Sequence, residues 1–457
     1  MGYPAMIQKL LAPAFILFLS PLASTAEDAA ENEPAKPAEG ALQERLQRYF
    51  QAAEEERDNS AAYWGALDQL SEDQVEPARE AIFEAAKAKA IADGREKQFR
   101  KGEILFDNPF GIDQVCPMPF VIKTKGEKPA GGWPAYINIH GSGPIDREYE
   151  IHQKRHRFFS GKLVVPRSPH KETKAPGEGK TVGIWRHALI PAIEQLAADL
   201  VMFEEVDPDR IYLMGFSEGG YFSYRAIPSM CDRLAGAAPS AGGGIKDPGW
   251  VDNLVTVPFY AQSGEFDNAF KRAENFREMA GQLKEAKERY GDRLRVRLIE
   301  YKKHGHQIPD TMKETSAPLW LEKFTRDPIP DLVIWQQRKN VEANANRKGD
   351  PNYTYPYVAE NHYWIAVEDL IGDFSRIEAR YKDNEIRLKS EQYSTLIVRL
   401  NDQMVDFGKP VKIFFNDALV YEGKPERRLS TMIKTWEERQ DPGLVFPAEI
   451  RVHRKAP

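Results

Sequence analysis

Cysteine is nearly absent: the 457 residues include two, Cys116 and Cys231. Two thiols exclude a disulfide-stapled scaffold; they either close one bridge in an oxidising compartment or remain as two buried thiols. No Cys/His cluster has metal-ligand spacing, so neither a metal nor an organic cofactor is expected. A basic surplus is also missing, with 63 Lys and Arg against 69 Asp and Glu and a net charge of −6. Without a concentrated basic face, nucleic-acid binding has no support. Long apolar runs are absent beyond Leu10 to Leu19, which is too short to span a bilayer comfortably.

That short run has its own meaning. Lys9 precedes it, and Pro21 and Ser24-Thr25-Ala26 follow, the charged, apolar and small-residue order of a secretory signal. Cleavage is expected after Ala26, giving a secreted or periplasmic protein without a membrane span. No cysteine follows the cut, so lipid attachment is not suggested. Residues 27–40, rich in Ala, Pro and Glu, read as a flexible tether.

What remains has three textures. Residues 41–101 show helical spacing, with Leu42, Leu46, Tyr49 and Phe50 on one stripe, and read as a helical appendage with a packing role. From 102 to 328, short apolar runs alternate with amphipathic ones. Strands are expected near 120–123, 135–139, 163–165, 210–214, 236–238, 258–262 and 295–301, and helices near 187–205, 221–227, 270–290 and 314–326. This pattern predicts an α/β domain with a mostly parallel sheet and helices on both faces. Beyond Pro328 and Pro330 the alternation stops. Strands at 363–367, 386–389, 394–400, 411–415, 418–422 and 449–452, with one helix at 431–439, predict a mainly β domain over 329–457, a small sandwich with a turn at Asn416-Asp417.

The most informative segment is Gly215-Phe-Ser-Glu-Gly219, set between an apolar strand and a helix start. A serine hydroxyl is a poor nucleophile until a base takes its proton, and it must be presented at an accessible edge. A G-x-S-x-G turn between strand and helix does this for Ser217 in a strained conformation, with glycines where a Cβ would clash. The competing reading is an ordinary glycine-rich turn.

Three further segments supply partners. Asn138-Ile-His-Gly-Ser-Gly143 leaves a strand in a glycine loop, whose Gly141 and Ser142 amides, with that of Glu218, would hold a developing oxyanion. Gly264-Glu-Phe-Asp267 ends an apolar strand in an acid. Asp267 is the candidate to orient a catalytic imidazole, with Glu265 as its rival and Asp247 and Asp252 weaker in an earlier loop. His304-Gly-His306 follows the last strand of the sheet. Histidine accepts and returns a proton near neutral pH, and His306 is favoured over His304 because it follows the glycine and precedes the last helix. The order Ser, Asp, His along the chain is that of one hydrolase architecture.

With Ala237-Ala-Pro-Ser-Ala-Gly-Gly243, these segments make residues 102–327 resemble the α/β-hydrolases. The likeness is to secreted esterases similar to polyhydroxybutyrate depolymerases, feruloyl esterases and dienelactone hydrolases. It implies an ester substrate, small or linked to a polysaccharide, and a triad of Ser217, Asp267 and His306. Glu218 departs from the smaller or neutral residue such esterases often carry beside the nucleophile. A serine peptidase of the same fold and a non-catalytic binding protein on this scaffold are the alternatives.

Other residues carry less. Trp133, Trp185, Trp250 and Trp320 read as core, with Trp250 the best candidate for a ligand-facing exception. The basic run from Arg147 to Arg157, with His152 and His156, reads as a solvated helix or lid segment. The C-terminal Tyr353, Tyr355, Tyr357, Tyr363 and Trp364 suit a face that packs on the preceding domain or holds a polymer. None of the candidate groups lies beyond 328, so a chain ending near 327 is expected to keep its chemistry if it folds.

Overall fold

The structure, a computed structural model, describes residues 39–107, 115–169, 171–173, 181–183, 185, 189–244, 249–309, 312–337, 359–369 and 374–455. The signal and tether segments therefore lie outside the described residues, apart from the last two tether positions. So do Asp247, Tyr353, Tyr355 and Tyr357.

Eight strands form the central sheet: β1 Glu103–Asp107, β2 Val115–Lys125, β3 Trp133–Ile139, β4 Gly161–Pro166, β5 Val206–Phe216, β6 Gly236–Ser240, β7 Phe259–Gly264 and β8 Val296–Tyr301. Their order is β1-β2-β4-β3-β5-β6-β7-β8. The β1/β2 and β2/β4 pairings are antiparallel, and every pairing from β4 to β8 is parallel. Strands β4, β6 and β7 are buried along their whole length. Burial on both faces fits their apolar stretches, residues 163–165, 237–239 and 259–261. β1 was not expected, because a five-residue edge strand with charged ends and an exposed Leu105 shows little apolar signal.

Helices α1 Glu39–Gln51, α2 Glu72–Ala92 and α3 Arg95–Arg100 precede the sheet, and α4 Ile145–Arg155, α5 Ile190–Glu204, α6 Glu218–Met230, α7 Arg272–Tyr290 and α8 Ala317–Leu321 lie within its connections. The helix expected at 314–326 is reduced to α8. Ser316 caps its N-terminus and Pro318 sits in its first turn, which fixes the start. Its far end is given up because the Arg326 side chain and amide reach Asp209.

The C-terminal region is β-rich, with two sheets. One contains β9 Leu332–Gln336, β12 Arg376–Lys382, β13 Glu385–Lys389, β15 Val411–Phe415 and β16 Ala418–Gly423; the other contains β10 Asn361–His362, β11 Ile365–Ala366, β14 Thr395–Leu400 and β17 Ala448–His453. The strand expected at 363–367 is instead a hairpin that reverses at Tyr363, where φ is 54°. Its aromatics pack inward: the Tyr363 hydroxyl donates to the Cys231 carbonyl at 2.8 Å and the Trp364 indole to that of Pro330 at 2.9 Å. Asn416 and Asp417 form the expected turn between β15 and β16, with φ of 48° and 64°. Helix α9, Leu429–Arg439, covers this region.

The N-terminal helices are built into the molecule on two sides. Tyr49 and Arg57 bind Glu437, and Phe83 meets Trp436 edge to face at 5.7 Å. On the other side, Arg95 pairs with the buried Asp199 of α5 at 2.6 Å. The helices thus join the central sheet to the C-terminal region.

Candidate active site

Strand β5 delivers Ser217 at its C-terminal end, and α6 starts one residue later. Ser217 has φ 57° and ψ −115°, a conformation that costs a non-glycine residue about 1–3 kcal/mol. It is held by its amide on the Ser240 carbonyl and by its own carbonyl, which accepts from Tyr221, both at 2.9 Å. The flanking glycines are required by close approach. A Cβ on Gly215 would lie 2.2 Å from the Gly219 oxygen, and one on Gly219 would lie 2.1 Å from the Ile139 oxygen. Both obstacles are backbone and cannot rotate away. Gly219→Ala is therefore expected to destabilise the fold by about 3 kcal/mol and to lower turnover roughly a hundredfold by displacing the serine. Denaturant midpoints and kcat measure the two effects, and unchanged values would mean that the elbow tolerates a methyl group.

His306 accepts from the Ser217 hydroxyl through Nε2 at 2.9 Å and donates from Nδ1 to Asp267 Oδ2 at 2.7 Å. With its proton on Nδ1, the ring leaves Nε2 to accept from the hydroxyl, the arrangement a general base needs. The acid and base loops interlock: the Phe266 amide donates to the His304 carbonyl at 2.8 Å, and a Cβ on Gly264 would lie 2.0 Å from the Gly305 oxygen. Gly264 thus allows two loops from adjacent strands to touch along their backbones.

The rival candidates are accounted for elsewhere. His304 is exposed, with Nδ1 on its own loop at the Lys302 carbonyl. Glu265 braces that loop, accepting from the Lys303 amide at 2.8 Å and from Lys302. Those hydrogen bonds, the Lys303 amide first, hold its carboxyl below the usual range. Asp252 pairs with Arg289 at 2.7 Å and Arg376 at 2.9 Å.

The loop after β3 lies against Ser217, since a Cβ on Gly141 would stand 3.4 Å from that of Ser217. His140 fixes its geometry. Its buried ring donates from Nδ1 to the Gly141 carbonyl at 2.8 Å and accepts at Nε2 from the Ser168 amide at 3.0 Å. Burial lowers its pKa to about 4, so the ring is neutral, as this pattern demands. Carbonyl and amide of a trans peptide point in opposite directions. Anchoring the Gly141 carbonyl to His140 therefore turns the Ser142 amide the other way. Glu218 begins α6, where backbone amides and the helix dipole favour negative charge.

Sequence reasoning missed three residues here. His140 lies inside the segment quoted for its glycines, so its type and place were visible. Glu148 of α4 is half-buried against the loop: its Oε1 lies 2.3 Å from where a Cβ on Gly143 would be, and burial raises its pKa. Arg272 donates to the second oxygen of Asp267 at 3.0 Å. Two expectations are corrected. Trp250 is fully buried, packing edge to face on Tyr224 at 6.0 Å, so it faces no ligand. The 147–157 run is not simply solvated. His152 is fully buried, and its Nδ1 meets the Glu148 carbonyl at 2.8 Å. Arg155 lies over the Phe216 ring at 3.6 Å.

Ser217 after β5, Asp267 after β7 and His306 after β8, all at the C-terminal edge of this sheet, decide the architecture. The fold is that of the α/β-hydrolases. No family model matches the chain, and no curated protein matches it in sequence. Several solved structures are similar. A thermostable esterase is 23% identical over 49% of this chain, with a TM-score of 0.37, and the match spans 63% of that protein's length. An acetyl xylan esterase from Paenibacillus sp. R4 is 14% identical, covering 49% of this chain and 83% of the esterase at a TM-score of 0.33. A carboxylesterase from Bacillus cereus is 18% identical, covering 45% and 94% at 0.31. Among the described residues, no group of His, Cys, Asp and Glu is placed to hold a metal ion, and no helix is long and apolar enough to cross a membrane. Cys231 is a buried free thiol.

Proposed function

We propose that this α/β-hydrolase is a serine carboxylesterase acting outside the cytoplasm. The observation that carries the reading is His306, bridging the Ser217 hydroxyl at 2.9 Å and the buried Asp267 carboxylate at 2.7 Å. Ser217 Oγ attacks the ester carbonyl carbon while His306 Nε2 takes the hydroxyl proton. The carbonyl oxygen becomes an oxyanion, received by the Ser142 and Glu218 amides, with that of Gly141 beside them. As the tetrahedral intermediate collapses, its C–O bond to the alcohol breaks and His306 returns the proton to the departing oxygen. Water, deprotonated by the same imidazole, then attacks the acyl-enzyme, releasing the acid and restoring Ser217. Asp267 orients the ring and stabilises it while it is charged.

Phe266 and Phe270, 58% and 80% exposed, flank Asp267 in sequence and supply apolar surface beside the site. They favour an ester with an apolar or aromatic group; an acylated carbohydrate is carried by the resemblance alone. The signal-like N-terminus supports export, and the domain division is proposed as 41–101, 102–328 and 329–457.

An activity-based fluorophosphonate is the direct test. Labelling of the wild type and none of Ser217→Ala is expected. Folded wild type that stays unlabelled would favour a binding protein on the same scaffold. Initial rates on short p-nitrophenyl esters should exceed those on peptide amides, and amide turnover without ester turnover would instead identify a peptidase.

A further inference from the structure

The triad acid has a second partner that the mechanism above does not use. Asp267 is 2% exposed; its Oδ2 takes the His306 imidazole, and its Oδ1 takes Arg272 Nη1 at 3.0 Å. Arg272 is itself 8% exposed, so two opposite charges are buried together beside the base. Burying such a pair is costly unless its geometry is well satisfied.

The surrounding chain is bent to achieve it. Phe270 and Lys271 both adopt left-handed backbone, with φ of 52° and 59°, and Arg272 begins α7 immediately after them. Two consecutive non-glycine residues in this region cost about 1–3 kcal/mol each and persist where the surroundings require them. The Ala273 amide closes the turn onto the Asp267 carbonyl at 2.9 Å. Gly243, at φ 77°, makes room from the other side: a Cβ there would stand 2.9 Å from the Arg272 Cα. The guanidinium lies 5.0 Å from the Phe270 ring and 5.8 Å from the Tyr221 ring. Strained turn, glycine and aromatic flanks thus all serve one cation placed on Asp267 Oδ1.

We propose that Arg272 is a positioning residue for the base: it locks the Asp267 carboxylate against His306 and offsets its charge, keeping the imidazole free to accept a proton at lower pH. The inference rests on the serine-esterase reading. With Arg272 present, the carboxylate is shared between two cations when the imidazole is protonated, so imidazolium gains less from Asp267 than it would from an unshared acid. Glu148 of α4 acts electrostatically on the ring, Arg155 lies over the Phe216 ring that packs on it, Tyr221 of α6 faces Arg272 and Asp267, and the acid and base loops carry Glu265, Lys302, Lys303 and His304. All are unchanged in the variants below.

The test is the pH profile of kcat/KM on a p-nitrophenyl ester for wild type, Arg272→Met and Arg272→Lys. In Arg272→Met the acid limb is expected to move to higher pH by about one unit, with plateau kcat down roughly tenfold. Arg272→Lys, which keeps the charge, should return the limb towards its wild-type position while leaving kcat low. If Arg272→Met does not fold, Arg272→Gln carries the test, with the same upward shift expected. A limb that stays in place in a folded neutral variant overturns the proposal, because a merely structural arginine would lower kcat without moving it. The esterase reading fails separately, if wild-type protein takes no fluorophosphonate and Ser217→Ala changes no rate.

Discussion

His306→Ala is expected to lower kcat on a p-nitrophenyl ester by about five orders of magnitude, and Ser217→Ala by about as much. The double variant should lose little more than either single one. Hydroxyl and imidazole share one proton across 2.9 Å, so removing either disables the same step. The residual rate would come from substrate binding and the backbone amides proposed to receive the oxyanion. His304→Ala should stay within about threefold of wild type, because its ring bonds to the Lys302 carbonyl and not to the serine or the acid. Purified variants, matched for fold by thermal melting, decide the matter. Equal losses from His304→Ala and His306→Ala would refute the assignment of the base, and a strongly additive double variant would mean that the two residues act in different steps.

The elements legible in sequence are those where chemistry and backbone demand coincide. Gly215, Gly219 and Gly264 stood out because close backbone contacts admit no other residue, and those contacts assemble the site. Strands buried on both faces, such as β4 and β7, showed as apolar runs. What stayed hidden depends on partners remote in sequence. Arg272 looks like any charged residue at the start of an amphipathic helix, and its contact with Asp267 follows from a left-handed turn at Phe270 and Lys271, residue types that do not announce one. Glu148 sits in a basic run that hides it, and its burial arises from packing on Gly143. β12 alternates, with Ile377 and Ala379 inward, but its charged residues hide the strand signal. Trp250 was misjudged for the converse reason: its loop leaves a strand end, yet the ring turns back under Tyr224.

The C-terminal region presents the other large effect. It holds none of the triad, so it could be supposed dispensable for a small ester. Its contacts argue otherwise. Arg326, fully buried, places both terminal nitrogens on Asp441, at 2.6 and 2.9 Å, and its Nε on Asp209 at 2.8 Å. Asp232, also buried, takes Arg439 at 2.7 Å, and Glu194 lies 3.7 Å from both Arg233 and Arg439. Burial pushes the Asp441 carboxyl up, but Arg326 and Arg233 outweigh it and hold it below the usual range. A carboxylate whose folded pKa is depressed contributes stability above its unfolded value, which is lost as pH falls through the folded one. The Arg326–Asp441 contact should therefore survive mild acid. Removing one partner is a different matter, since it strands a buried charge. Asp441→Ala is expected to cost about 3–5 kcal/mol, read as a fall in denaturant midpoint without a comparable change in kcat for the protein still folded. A chain ending at 327 loses Asp441, Arg439 and the β9 backbone that pairs with Asn253. It should be recovered insoluble or unfolded, so the question of its activity does not arise. Soluble, active protein from that truncation would show that the buried charges are tolerated without their partners.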